Sequence, residues 1–278
     1  MKKFVAVFAI LLIVVPALFA WNFPWAQRSE NKLSTQGSTT VLPIAQKEAE
    51  EFMKINAGAD VSVSGGGSGV GVAAIIDGSC DIANSSRPIK AKEIVLAKQK
   101  GVNPVGTIIA NDGIAVIVNP KNKALEGLTI NQLRSIYSGE ITKWSQVGGS
   151  KDLIVVISRD TSSGTFEVFN ELVLKGTKLR EDSLMQASNK EIVETVAKTP
   201  GAVGYVGIGY ITPEVKAIEI DNVMPSSETV LDKSYKLARP LFMYTNGEPS
   251  GLAKEFLDFI LSDRGQDIVK EVGFIKLK

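Results

Sequence analysis

Three short segments gather glycines and small hydroxyl residues at the spacing of an anion cradle. They are Gly37-Ser38-Thr39-Thr40, Gly65-Gly66-Gly67-Ser68-Gly69 and Arg159-Asp160-Thr161-Ser162-Ser163-Gly164-Thr165. Each follows a short strand pattern and precedes a helical one. The first N–H groups of a helix have no internal partner, and the helix dipole adds partial positive charge there. Serine and threonine hydroxyls supply rotatable donors, and glycine admits close backbone approach. One such turn is ordinarily a helix cap. Three in one chain, the third carrying Arg159, point to convergence on one compact oxyanion. About eight to ten hydrogen bonds to a charged group, at about 1.5–3 kcal/mol each, exceed the roughly 8 kcal/mol of micromolar affinity. No metal is needed for this.

Other chemistries lack their residues. The 278 residues include no histidine and one cysteine, Cys80. The usual general base, the commonest metal ligand and an internal disulfide are therefore missing. Cys80 reads as a small buried hydrophobe. Ser162 and Ser163 have no histidine to activate them, no Gly-x-Ser-x-Gly elbow occurs, and no carboxylate cluster suggests a two-metal site. A phosphoryl-transfer or hydrolytic enzyme is the weaker reading on these grounds. Gly69-Val70-Gly71-Val72-Ala73-Ala74 matches a dinucleotide fingerprint, but no strand ending in a ribose-binding acid follows at the required distance. The net charge is +1, with no basic excess for nucleic acid.

The elements that must position these turns are short strands alternating with amphipathic helices. Leu33–Thr35, Val61–Ser64, Ile108-Ile109, Ile114–Val118, Ile154–Ile157 and Ala217–Ile220 read as strands. Ile44, Ala45, Ala49, Phe52 and Met53 share one helical face over 43–55, with Pro43 in the first turn. A second helix is expected over 70–77, and a third carries Phe166, Phe169 and Leu172. Thr129 with Gln132, and Ser188 with Glu191, have capping-box spacing. Ala253, Phe256, Leu257 and Ile260 line a helix near the C-terminus. This alternation predicts α/β layers with largely parallel sheets. Tyr137 and Trp144 read as packing residues, and Tyr205 as either a cleft residue or a buried tyrosine with a satisfied hydroxyl. Lys90 and Glu93 are expected to be solvated.

Lys2 and Lys3 precede the uncharged apolar run from Phe4 to Ala20, the pattern of a signal peptide with cleavage near Leu18-Phe19-Ala20. Removing Lys2 and Lys3 leaves 29 basic and 30 acidic residues. There is no lipobox cysteine. The run is also long enough to stay as an uncleaved anchor. Either way the folded part is expected outside the cytoplasm, periplasmic or at the cell surface, touching the membrane only through that leader.

From about Leu33 to the C-terminus the chain resembles the phosphate-binding proteins of ABC importers, the PstS family. The resemblance is carried by the three turns and by Asp81-Ile-Ala-Asn-Ser-Ser-Arg-Pro88, Asp112-Gly-Ile-Ala-Val-Ile-Val-Asn119 and Tyr137-Ser-Gly-Glu-Ile-Thr-Lys-Trp144. Gly201-Ala-Val-Gly-Tyr205 and Arg239-Pro-Leu-Phe-Met-Tyr244 complete it. It implies a type II periplasmic-binding-protein fold, two α/β lobes joined by two crossover strands with the ligand in the cleft. Residues 1–27 would be the leader and linker, 28–113 plus 228–278 lobe one, and 114–227 lobe two. The implied ligand is inorganic phosphate and the implied partner an ABC transporter permease, with no cofactor, no enzymatic activity and a monomeric state. The family's phosphate contacts fall on Thr39, Thr40, Ser68, Arg159, Ser163, Gly164 and Thr165, and Ser38, Ser86 and Arg87 are further candidates. In the best-known members an aspartate accepts the proton of hydrogen phosphate and so rejects sulfate, and here Ser86 aligns with it. Asp112 is the candidate replacement acceptor. Another tetrahedral oxyanion, such as sulfate, molybdate or tungstate, therefore stays open as the ligand, and a sensor role for the same fold stays open too.

Overall fold

The computed structural model describes residues 31–122 and 125–277. The expected leader over 1–27, with its cleavage site at Leu18-Phe19-Ala20, lies outside them. Strand β1 (Lys32–Gly37) turns Leu33 and Thr35 inward and runs into the first hydroxyl turn. Helix α1 (Leu42–Ile55) follows, with a proline in its first turn and Ile44, Ala45, Ala49 and Phe52 buried. Strand β2 (Asp60–Gly66), helix α2 (Ser68–Ile76), strand β3 (Ile82–Ser85) and helix α3 (Ala91–Gln99) complete this part. β2 and β3 flank β1, both parallel to it.

Strand β4 (Pro104–Val118) then runs for 15 residues without a break. The middle of the chain adds β5 (Gly127–Leu128), α4 (Ile130–Ser138), β6 (Val155–Arg159) and α5 (Gly164–Phe169), the last continuing as a π turn over Asn170–Leu174. β7 (Leu184–Gln186), α6 (Asn189–Lys198), β8 (Ala202–Gly207), β9 (Lys216–Ala217), β10 (Glu219–Ile220) and α7 (Ser227–Leu231) follow. β6 lies parallel between β7 and β8. The chain returns along β11 (Ala238–Asn246) and ends with α8 (Gly251–Leu261) and α9 (Asp263–Glu271).

The strand order is β2-β1-β3-β11-β4-β8-β6-β7, with β9 also on β4. The flanks are parallel, as expected. The centre departs from that expectation, because β11 is antiparallel to both β3 and β4, and β4 to β8. One strand leaves the first half and another re-enters it, so the two must run in opposite directions. The two strands expected at Ile108-Ile109 and Ile114–Val118 are one. Asn111-Asp112-Gly113 has turn-like composition, yet it pairs with Pro240, Arg239 and Ala238 of β11 and stays extended. The strand expected over Ala217–Ile220 is instead two, because β9 pairs with β4 whereas β10 pairs with β5.

Among the described residues four apolar clusters form, and the largest two sit on either side of that crossing. Leu33, Ile44, Phe52, Ile109, Leu241 and Phe256 belong to the first. Ile114, Val116, Leu133, Tyr137, Trp144, Phe169 and Tyr205 belong to the second. β4 therefore feeds Ile109 and Ala110 into one core and Ile114, Val116 and Val118 into the other. Burial at about 25 cal/mol per Å² of apolar surface holds each half together. The short polar stretch between the cores is where the halves meet. Among the described residues no helix is long and apolar enough to cross a membrane.

Candidate functional site

The three turns lie at the ends of β1, β2 and β6, and the fold brings them face to face. Ser38 is buried, and its Oγ accepts from the backbone N–H of Thr40 and of Val41, at 3.1 and 3.4 Å. Its hydroxyl thus shapes the turn. Thr40 Oγ1 lies 3.0 Å from Thr165 Oγ1, joining residues 125 apart in sequence across the two halves. Asn189, the first residue of α6, donates from Nδ2 to Thr39 Oγ1 and to Thr40 Oγ1, each at 3.1 Å. Its Oδ1 accepts from Gly207 N. Tyr210 donates to the Thr39 carbonyl at 2.5 Å.

The second turn meets the third just as closely. Ser68 Oγ and Ser86 Oγ are 3.2 Å apart, and Ser86 N donates to Ser68 Oγ at 3.0 Å. Gly164 packs on this pair so tightly that a Cβ there would collide with both hydroxyls. Gly67, at φ +99°, is similarly pressed against the Ser162 carbonyl. Gly69 N donates to Ser162 O at 2.9 Å and Ser162 Oγ donates to Gly66 O at 3.0 Å. Ser163 caps α5 by accepting from Phe166 N. The two halves are thus closed on each other here.

Two buried guanidiniums, Arg159 at the start of the third turn and Arg239, belong to the same region. Arg159 is 1% exposed. Its backbone N–H donates to the Tyr205 hydroxyl, Nε to Gln186 O and Nη2 to Ala187 O, whereas Nη1 is buried with no partner. Among the described residues no carboxylate pairs with it; neighbouring Asp160 accepts from Ser162 N and Oγ instead. Burial pulls the Arg159 pKa down, opposed by Tyr205 and Asp160 and aided by the nearby Arg239 charge. A guanidinium nevertheless keeps its charge. An unpaired buried cation is costly unless an anion joins it.

Arg239 comes from β11, directly opposite Asp112 on β4. Its Nε and Nη2 donate to Asp112 Oδ2 at 3.0 and 2.8 Å. Nη2 also reaches Thr165 Oγ1 at 3.0 Å and Thr40 Oγ1 at 3.3 Å, whereas Nη1 is buried without a partner. The other Asp112 oxygen accepts from Ile208 N at 3.0 Å. Burial pushes the Asp112 pKa up, and the charge and hydrogen bonds of Arg239 oppose it. With Arg239 always protonated, the pair is ionic. Two guanidiniums against one carboxylate leave the cluster positive, with hydroxyls and backbone N–H groups around it. That arrangement can hold a small, doubly charged, tetrahedral anion and has no nucleophile–base pair to attack one. Among the described residues no group of histidine, cysteine, aspartate or glutamate could hold a metal ion.

Of the residues expected at the site, Thr39, Thr40, Ser68, Ser86, Arg159, Ser163, Gly164 and Thr165 converge. Asp112 sits beside them, but both of its oxygens are engaged, so it is not a ready proton acceptor. Arg87 departs from the expectation. Its guanidinium donates to Glu93 Oε1 and Oε2 and to Pro88 O, and its Nε lies 2.6 Å from Glu167 Oε2. Lys90 and Glu93 are correspondingly not free in solvent, since Lys90 also pairs with Glu167. Burial pushes the Glu93 pKa up, but bonding to Arg87 and to Lys90 together more than reverses it. Tyr205 is fully buried, bonded to Ser158 Oγ and stacked on Phe169 at 4.0 Å, so it braces Arg159 from behind. Asn189 and Arg239 were not singled out as site residues. Their marks in the sequence are only an asparagine next to the capping Ser188 and a charged residue heading an apolar strand.

The chain matches the model of the PBP superfamily domain over residues 25–264. It is 34% identical over 251 residues to the phosphate-binding protein PstS of Bacillus subtilis, spanning 90% of this chain and 82% of that one. The PstS of Borreliella burgdorferi is 33% identical over 264 residues, 91% of this chain and 92% of its own. Among solved structures, a putative phosphate ABC transporter substrate-binding protein from Clostridium perfringens, with bound phosphate, superposes with a TM-score of 0.83. It is 36% identical, with 89% of this chain and all of that one covered.

Proposed function

Because the chain belongs to the PstS family of phosphate-binding proteins, we propose that it captures inorganic phosphate outside the cytoplasm and delivers it to the permease of an ABC importer. The observation that carries this reading is Arg159, a buried cation with Nη1 unpartnered and, among the described residues, no carboxylate in an ion pair with it. An anion placed among Arg159, Arg239, Thr39, Thr40, Ser68, Gly164 and Thr165 would meet donors from both halves. Its binding would therefore favour the closed form through contacts that the open form lacks. The role is binding and release rather than catalysis. The lobe division that goes with this reading is 28–113 plus 228–278 against 114–227, as the resemblance implies. The packing of Val230, Tyr235 and Leu237 onto Ile114 favours moving the return crossing to Ala238.

Chemical identification of the anion carried through purification tests this reading. Protein prepared without added phosphate, then denatured and assayed for inorganic phosphate, is expected to release about one per chain at micromolar or tighter affinity. Sulfate or molybdate recovered in its place would shift the reading to another tetrahedral oxyanion. Measurable phosphatase turnover would revive the enzyme.

A further inference from the structure

We infer that Glu167, with Arg87 and Lys90, forms an ionic latch that holds the two halves closed and sets how fast the anion leaves. Glu167 stands in the first turn of α5, three residues after Gly164 and five after Ser162. Its Oε2 lies 2.6 Å from Arg87 Nε and 2.6 Å from Lys90 Nζ, both in the loop between β3 and α3. No N–H points straight at that oxygen, so the contact is a charge pair more than an aligned hydrogen bond. The Arg87 side chain is 4% exposed and that of Glu167 17%, which limits screening by salt.

The partition of the Arg87 guanidinium explains why the contact acts on closure. Its Nη1 and Nη2 are taken up by Glu93, on the same side of the cleft, so Arg87 is already positioned when the halves separate. The Nε face is left for Glu167, from the other side. Opening the cleft would leave the buried Arg87 with one partner carboxylate and return Glu167 to water, while the Glu93 pair stays intact. The latch lies apart from the anion cluster, because none of its three side chains bonds to Thr39, Thr40, Ser68 or Arg159. The same α5 start also carries the neutral contacts of Ser162 with Gly66 and Gly69 and of Gly164 with Ser68. One helix end thus docks by backbone, by shape and by charge.

This latch rests on the phosphate reading for its ligand, so the experiment scores the two separately. Inorganic phosphate dissociation is followed by rapid mixing in wild type, Glu167→Gln and Glu167→Asp, with small-angle scattering of each protein free of ligand and loaded. Removing one partner of a half-buried charge pair acts mainly on dissociation. Glu167→Gln is expected to release phosphate at least about tenfold faster with association changed less than about twofold. Glu167→Asp, which keeps the charge, is expected to recover most of the loss. Unchanged or slower release in Glu167→Gln overturns the latch, as it would if Arg87, freed of Glu167, turned to the anion instead. If wild type takes up no phosphate, the function reading fails by itself. The latch is then scored by scattering: a more open ligand-free Glu167→Gln supports it, and identical curves overturn it.

Discussion

Arg159 is held by two backbone carbonyls and a tyrosine hydroxyl at its own N–H, and its remaining nitrogen is buried with no partner. Replacing it with alanine should weaken phosphate binding by at least about 1.5 kcal/mol, the scale of one charged hydrogen bond. Unchanged affinity in a calorimetric titration would put the third turn outside the site. Gly164 gives a complementary test. Its backbone conformation suits any residue, so Gly164→Ala strains only the closed cleft, where the new methyl meets Ser68 and Ser86. Overpacking of this kind costs about 1–3 kcal/mol. Affinity should fall about tenfold or more, while the ligand-free melting temperature stays within about 2 °C. The threonines, serines and glycines of the cradle were legible in the sequence because each turn is local. Asn189, Arg239 and Glu167 were not, because each reaches the cleft through strand order and register. Arg87 misled for the same reason, since only the fold shows Glu93 and Glu167 closing on it.

Helix α1 presents a different problem at the scale of an element. Its polar Glu48 lies on the buried face with Ile44, Ala45 and Phe52, fully covered, and neither oxygen has a partner. Burial pushes its pKa from 4.5 to about 9, partly offset by Arg264. The folded chain therefore keeps a proton that the unfolded chain loses above about pH 4.5. By linkage, the stability this proton confers is fully present below about pH 4.5 and drains away as pH rises toward about 9. Glu48→Met, of similar volume, should raise unfolding stability by at least about 2 kcal/mol at pH 8, with a smaller gain near pH 4.5, where only the unpaired neutral carboxyl is removed. A pH-independent difference in denaturant midpoints would show that Glu48 is not held neutral. The helix itself was readable from Pro43 and the spacing of its apolar residues, but its acidic intruder was not. Helical periodicity shows which face is buried, and nothing in it shows that α8 and α9 both pack against α1. The helices expected over 43–55 and 70–77 differ from the observed ones by no more than two residues at either end. β4 was harder, because Asp112-Gly113 reads as a turn until β11 pairs with it.

At the scale of the whole molecule, β4 and β11 thread two separate cores and meet at the Asp112–Arg239 pair. Alternating strands and helices made the α/β class legible, whereas the antiparallel centre depends on a return strand that sequence pattern does not mark. With two cores joined by two strands, bending at the crossing costs little core packing, and closure is left to contacts across the cleft. A ligand that touches both halves should therefore compact the molecule and raise its stability by about 4 kcal/mol at a thousandfold excess over Kd. The Asp112–Arg239 ion pair also leaves both Asp112 oxygens engaged, so sulfate is the informative competitor. Calorimetric titration of anion-stripped protein with inorganic phosphate, repeated in excess sulfate at pH 6 and pH 8, is the most direct measurement. One phosphate per chain at micromolar or tighter affinity is the expected result, and displacement by sulfate measures the selectivity left without a ready acceptor for the phosphate proton. No phosphate uptake at either pH would contradict it.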